Sequence, residues 1–159
     1  MMDIDSLTPT QDERVMAALS HVSALLPFMG VISPIVIWVT QKEKSRYVTF
    51  HALQALVYQL MMIVAWFIGM GCYMCSFFSL FLAIPFASSS QTPSSGYPFA
   101  DIAFLIPFAA FGVIFIGGLV FIVYGVVGAI ISFQGKPFRY LLIGDRVERF
   151  MLQNQSAGK

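Results

Sequence analysis

The chain has 159 residues, of which 58% are hydrophobic and 11% charged, with a formal net charge of +1; an average soluble domain carries roughly 25% charged residues. A mean hydropathy of +0.79, with 16 Phe, is more apolar surface than a soluble core of this size can bury, so the composition is that of an integral membrane protein. It excludes a soluble enzyme, a secreted disulfide scaffold and a disordered chain, and the near-neutral charge excludes nucleic acid as a partner.

Residues 1–12 read as a polar tail carrying Asp3, Asp5 and Asp12 but no Lys or Arg, the reverse of a cleavable signal peptide. Residues 13–133 form the transmembrane helical domain, with apolar stretches at 15–39, 52–87 and 102–133. About 20 residues suffice to cross a hydrocarbon core about 30 Å thick. The second and third stretches exceed that length and form a transmembrane hairpin around the polar run 88–96, which is broken by Pro93 and Gly96. The first stretch is interrupted by Pro27, Gly30 and Pro34. It is either one broken span or two short segments that dip in and return. The fold class is therefore an all-α integral membrane protein, a small bundle with a Pro/Gly-broken first segment and two long transmembrane helices.

The 41–51 loop holds Lys42, Lys44 and Arg46, the 88–100 loop holds no cation, and the tail 134–159 holds Lys136, Arg139, Arg146, Arg149 and Lys159. Positive-inside bias places the 41–51 loop and the C-terminus in the cytoplasm and the 88–100 loop outside a plasma membrane. It does not separate one first span from two short segments.

His51, Gln54 and Tyr58 share one helical face. Each is costly against lipid, so they are expected to point into the bundle. Their expected partners are Ser20, His21 and Ser23, or backbone opened at Pro27 and Pro34. The alternative is a polar cavity lining. In the third stretch Gly118, Gly125 and Ala129 line one face and read as a helix-packing stripe. Phe77, Phe78, Phe81, Phe86, Tyr97 and Phe99 suit the outer interface. In the tail, Ile143, Val147, Phe150 and Met151 recur at helical spacing, which reads as an amphipathic helix lying on the cytoplasmic leaflet.

Chemistry is sparse. Cys72 and Cys75 are the only cysteines. A disulfide-shuttling site needs a second cysteine pair and a metal site about four ligands, so the pair reads as apolar filler before it reads as a structural disulfide or a redox site. His21 and His51 are the only histidines; either could ligate a haem or pigment, but the simpler reading is internal hydrogen bonding. No catalytic triad, paired catalytic carboxylates, metal cluster or phosphate loop is present, and no acidic residue lies deep in a span, as an ion relay would need. The reading is a non-enzymatic protein without cofactor, metal or small-molecule substrate. Its partners are the lipid bilayer and other membrane subunits.

The runs Glu-Arg-x-x-Ala-Ala-Leu-Ser-His at 13–21, Lys-Glu-Lys-Ser-x-x-Val-x-Phe-His-x-x-Gln-Ala at 42–55 and Gly135-Lys-Pro-Phe-Arg-Tyr140 resemble the small bacterial membrane proteins grouped as Tic-twenty-like. That group is named for similarity to a component of the chloroplast inner-envelope translocon. The resemblance implies four membrane segments with both termini cytoplasmic, and no established enzymatic activity. Three functions follow as expectations: an accessory or structural subunit of a larger membrane complex, a protein-translocation or insertion component, and a membrane redox or cofactor protein.

Overall fold

Thr10 starts the first helix. Its hydroxyl accepts from the Glu13 N–H at 3.4 Å, while the Glu13 carboxylate accepts from the Thr10 N–H at 2.7 Å. This reciprocal capping box satisfies donors that a helix start leaves bare. The structure, a computed structural model, describes residues 8–26, 28–89, 98–141 and 143–157, with side chains described for 8–26, 28–82, 105–141 and 143–153. Among these residues the chain is all-helical: α1 (Gln11–Val22), α2 (Ile32–Gln41), α3 (Arg46–Ser89), α4 (Pro98–Phe133) and α5 (Gly144–Ala157).

The broken first stretch is two short helices. α1 has 12 residues and α2 has 10, about 18 and 15 Å at 1.5 Å per residue, so neither crosses about 30 Å of hydrocarbon. Short 3-10 turns at Ser23–Leu25 and Met29–Val31 reverse the chain between them. Gly30 makes the reversal possible: a Cβ there would lie 2.0 Å from the Ser23 carbonyl oxygen. Glu13, at the start of α1, bonds the side chain of Ser45, just beyond the end of α2. The hairpin therefore returns to the side on which it began. Pro34 lies in the first turn of α2, where the missing N–H costs no intrahelical bond. It starts a helix instead of breaking one. Pro27 lies outside the described residues.

The chain divides into two units, Met1–Ile63 with Val120–Lys159, and Val64–Leu119. In the first unit the early turns of α3 are central. Val48, Phe50, His51, Ala52 and Gln54 are all 0% exposed. On one side Ala17, Ile37, Tyr47, Val48 and Ala52 cluster. On the other, Phe50 and Tyr58 meet Phe138, Tyr140, Ile143, Val147 and Met151.

That second cluster revises the reading of the tail. The helix forms, and Ile143, Val147 and Met151 do face one way, but they are buried against α3 and the chain following α4. The stripe covers protein and does not lie on a leaflet. Phe150 alone of the expected set is half exposed, at 52%.

The second unit contains the later turns of α3 and the earlier turns of α4. They pack through Tyr73 on Phe111, ring centres 5.9 Å apart, and through Gly69 beside Ile114. Its apolar residues point outward on every side, among them Phe67, Ile68, Phe78, Val113 and Ile116. Residues 46–82 and 105–133 are long and apolar enough to cross a membrane. The most apolar window of α3 has 0% of its residues buried, and that of α4 has 17%. A helix hydrophobic all round yet uncovered by its own protein needs an apolar solvent. Of the expected interfacial aromatics, Phe77, Phe78 and Phe81 are exposed on α3. The side chains of Phe86, Tyr97 and Phe99 lie outside the described residues, as does most of the 88–100 loop.

Candidate functional site

The polar side chains of the first unit tie its helices together by hydrogen bonds, in a network centred on His21 and His51 with separate bonds from Tyr58 and Gln59. α3 contributes Tyr47, His51, Gln54 and Tyr58, whose three- and four-residue steps keep them on one face, and Gln59 next to it. α1 contributes Ser20, His21 and Ser23; α4 contributes Ser132; the segment between α4 and α5 contributes Phe138 and Tyr140.

At the centre the two imidazoles meet edge to face, with His21 Nε2 3.2 Å from His51 Nδ1. His21 Nδ1 lies 3.0 Å from the Tyr140 hydroxyl, and His51 Nδ1 lies 3.1 Å from Ser132 Oγ. Ser132 donates its hydroxyl proton to the Gly128 carbonyl at 2.8 Å. Its oxygen is therefore the acceptor for His51 Nδ1–H, and His21 Nε2 accepts from the same nitrogen. His21 Nδ1–H is left to donate to Tyr140. This assignment follows from the network, as tautomers are fixed by their partners. It leaves His51 Nε2 buried without a partner among the described residues, which costs about 1–3 kcal/mol.

Gln54 holds the segment after α4. Its Nε2 donates to the Phe138 carbonyl at 3.1 Å and its Oε1 accepts from the Tyr140 N–H at 3.0 Å. One buried amide thus satisfies a backbone acceptor and a backbone donor that have no helix to pair with. Tyr58 donates to the Phe121 carbonyl at 2.9 Å. Its ring is stacked between Phe121 and Tyr140, with centroids 3.6 and 4.0 Å away. Tyr47 donates to the Ser132 carbonyl at 2.9 Å. Burial, with the hydroxyls of Tyr58 and Tyr124 close by, pushes the Tyr140 phenol up, so it stays a neutral hydrogen-bonding group.

The structure places His51, Gln54 and Tyr58 together and buried. Of the three, only His51 bonds the first segment, through His21. Ser20 and Ser23 are engaged by Gln59, which donates to Ser23 Oγ at 2.9 Å and to the Ser20 carbonyl at 3.5 Å. Gln59, Tyr47, Ser132 and Tyr140 belong to the site and were not singled out by spacing. The nearest signal was the basic-aromatic run at 135–140.

The small-residue stripe is divided. A Cβ on Gly125 would sit 3.1 Å from Ala24 Cβ, and Ala129 is 4% exposed, but a Cβ on Gly118 would meet nothing within 4 Å. The tighter contact is at Gly128, where a Cβ would come 2.8 Å from the Phe138 ring. Cys72 and Cys75 are exposed and unbonded in the second unit. They are not the buried filler that composition suggested: α4 meets α3 at Gly69 and Tyr73, and among the described residues both thiols are left exposed. Among the described residues no group of three or more His, Cys, Asp or Glu could hold a metal ion.

The sequence model of the magnetosome magnetite crystal formation protein family, MamF/MmsF, matches residues 12–147. The chain belongs to that family. No curated protein and no solved structure matches it. This overturns the Tic-twenty-like resemblance and leaves the translocation reading without support. The runs that carried the resemblance hold His21, His51, Gln54 and Tyr140, the residues that join α1, α3 and the chain after α4. They report how a small bundle is tied together more than what it does.

Proposed function

We propose that this chain is a non-enzymatic membrane protein of the magnetosome, an accessory or structural subunit of the membrane assembly in which magnetite crystals form. Family membership supplies the process. The observation that carries the structural role is the way the polar side chains are used. His21, His51, Gln54, Tyr58 and Gln59 are all buried and bonded within the chain, so none is presented to a substrate. What the chain offers outward is the apolar surface of α3 and α4. In lipid such surfaces associate by close packing, with small residues letting helices approach. Gly71, Gly117 and Gly118, with nothing within 4 Å of a Cβ, are places where a partner helix can come near.

In this reading residues 46–82 and 105–133 cross the membrane, and α1 and α2 dip in from one side. The cations at 42–46 and 136–149 lie on that side, facing the cytoplasm by positive-inside bias. Deleting the chain's coding sequence and imaging the particles tests the process. Changed number, size or shape of magnetite crystals within intact membrane compartments supports the proposal. Crystals indistinguishable from those of the parent would overturn it.

A further inference from the structure

A groove of about 570 Å³ lies between α3 and α5, within the range of small-molecule sites. Leu53, Val57 and Met61 form one wall at four-residue steps along α3; Val147 and Phe150 form the other. Among the described residues the one charged lining residue is Arg146, which is exposed. We propose that this groove binds one anionic phospholipid, an acyl chain lying along Leu53, Val57 and Met61 and the phosphate held by Arg146.

Two observations select that occupant. The first is charge. The acidic neighbours of Arg146 on α5 are turned to a different cation: Arg139 meets Glu148 at 2.9 Å and Asp145 at 3.9 Å. Among the described residues Arg146 makes no ion pair, and a guanidinium beside an apolar slot suits a phosphate, which it can bind in bidentate fashion. The second is continuity. The α3 wall ends at Met61, beside exposed Leu60 and Val64, where the helix becomes apolar all round. Gly144, two residues before Arg146, adjoins Gln54 (a Cβ there would come 3.3 Å from Gln54 Oε1) at the Leu53 end of that wall, so a chain lying in the groove runs from the cation toward the exposed apolar turns of α3, as an acyl tail does from its headgroup.

The inference rests on the membrane reading but not on a role in crystal formation. The test is native mass spectrometry of the full chain purified in mild detergent and offered phosphatidylglycerol or phosphatidylcholine of matched acyl chains. One phosphatidylglycerol retained per chain is expected, in at least tenfold preference to phosphatidylcholine. Retention should fall at least tenfold in Arg146→Gln and partly recover in Arg146→Lys. Val57→Trp, which fills the slot, should lower retention of both lipids. Equal retention of the two lipids, or retention untouched by both Arg146→Gln and Val57→Trp, would overturn the proposal. Protection of the groove by a second copy of the chain with no lipid bound would overturn it as well. A chain that fails to enter lipid nanodiscs at all would defeat the membrane reading and this proposal together.

Discussion

His21 and Tyr140, 119 residues apart in the chain, meet at 3.0 Å between imidazole Nδ1 and the phenol oxygen. The contact joins the first helix to the segment after α4, and His51 on α3 completes it from the other side of the ring. Removing one partner tests the link. A net hydrogen bond is worth about 0.5–1.5 kcal/mol, so Tyr140→Phe should destabilise by that amount while keeping the ring stack on Tyr58. Measured with His21→Ala and the double variant, the coupling should be positive and about 0.5–1.5 kcal/mol. Additive losses would mean that the two residues act separately.

Gln54 is a harsher case, since both of its amide atoms pair with backbone. Gln54→Leu leaves the Phe138 carbonyl and the Tyr140 N–H buried and unpaired, at about 1–3 kcal/mol each. The expected result in detergent is a melting temperature well below the parent's. An unchanged melting temperature would show that the segment at 138–140 is held by something else.

Gly30 and Gly118 make opposite predictions from the same change. Gly30→Ala places a methyl 2.0 Å from the Ser23 carbonyl, which the turn can relieve only by opening, so the α1–α2 hairpin should be lost or strongly destabilised. Gly118→Ala meets open space within a helix, where Ala is favoured over Gly by about 0.8–1 kcal/mol, so the isolated chain should be as stable or more so. Gly118→Leu should then weaken association with partner subunits without unfolding the chain, if that surface is where partners pack. Thermal melts and co-purification read the two effects apart.

The capping box has a pH signature. A bond from Ser45 and then the Thr10 N–H hold the Glu13 carboxyl below its ordinary value of 4.5. A depressed carboxylate contributes stability that is complete above its unfolded pKa and disappears as pH falls through the folded one. Acid should therefore weaken the start of α1 below about pH 4.5. Thr10→Ala should cost about 1 kcal/mol at neutral pH and reduce the acid dependence. Glu13→Gln should abolish it. Hydrogen exchange at the first turn of α1 provides the measurement.

Much of this architecture is written in hydropathy. The two long helices follow from stretches longer than a bilayer, and Ile143, Val147 and Met151 announce a buried face by their spacing. Periodicity says that such a face is covered, however, and not by what; here protein covers it. The first segment stayed ambiguous because positive-inside bias constrains its C-terminal loop alike for one span or two. Gly30 holds the answer, through a backbone approach that no charge pattern reveals. The His51, Gln54 and Tyr58 face was legible for a similar reason of spacing, but the partners of Gln54 are backbone groups 84 and 86 residues away, and side-chain patterns carry no mark of those. The family resemblance failed at the same place: the residues that tie a bundle together can look alike across families whose processes differ.

The most direct test is the mass and composition of the particle extracted from native membranes in a mild detergent. The account predicts a stable assembly much larger than this 17.6 kDa chain, with fixed partner proteins, enriched where magnetite forms. A free monomer or a small homo-oligomer would contradict it.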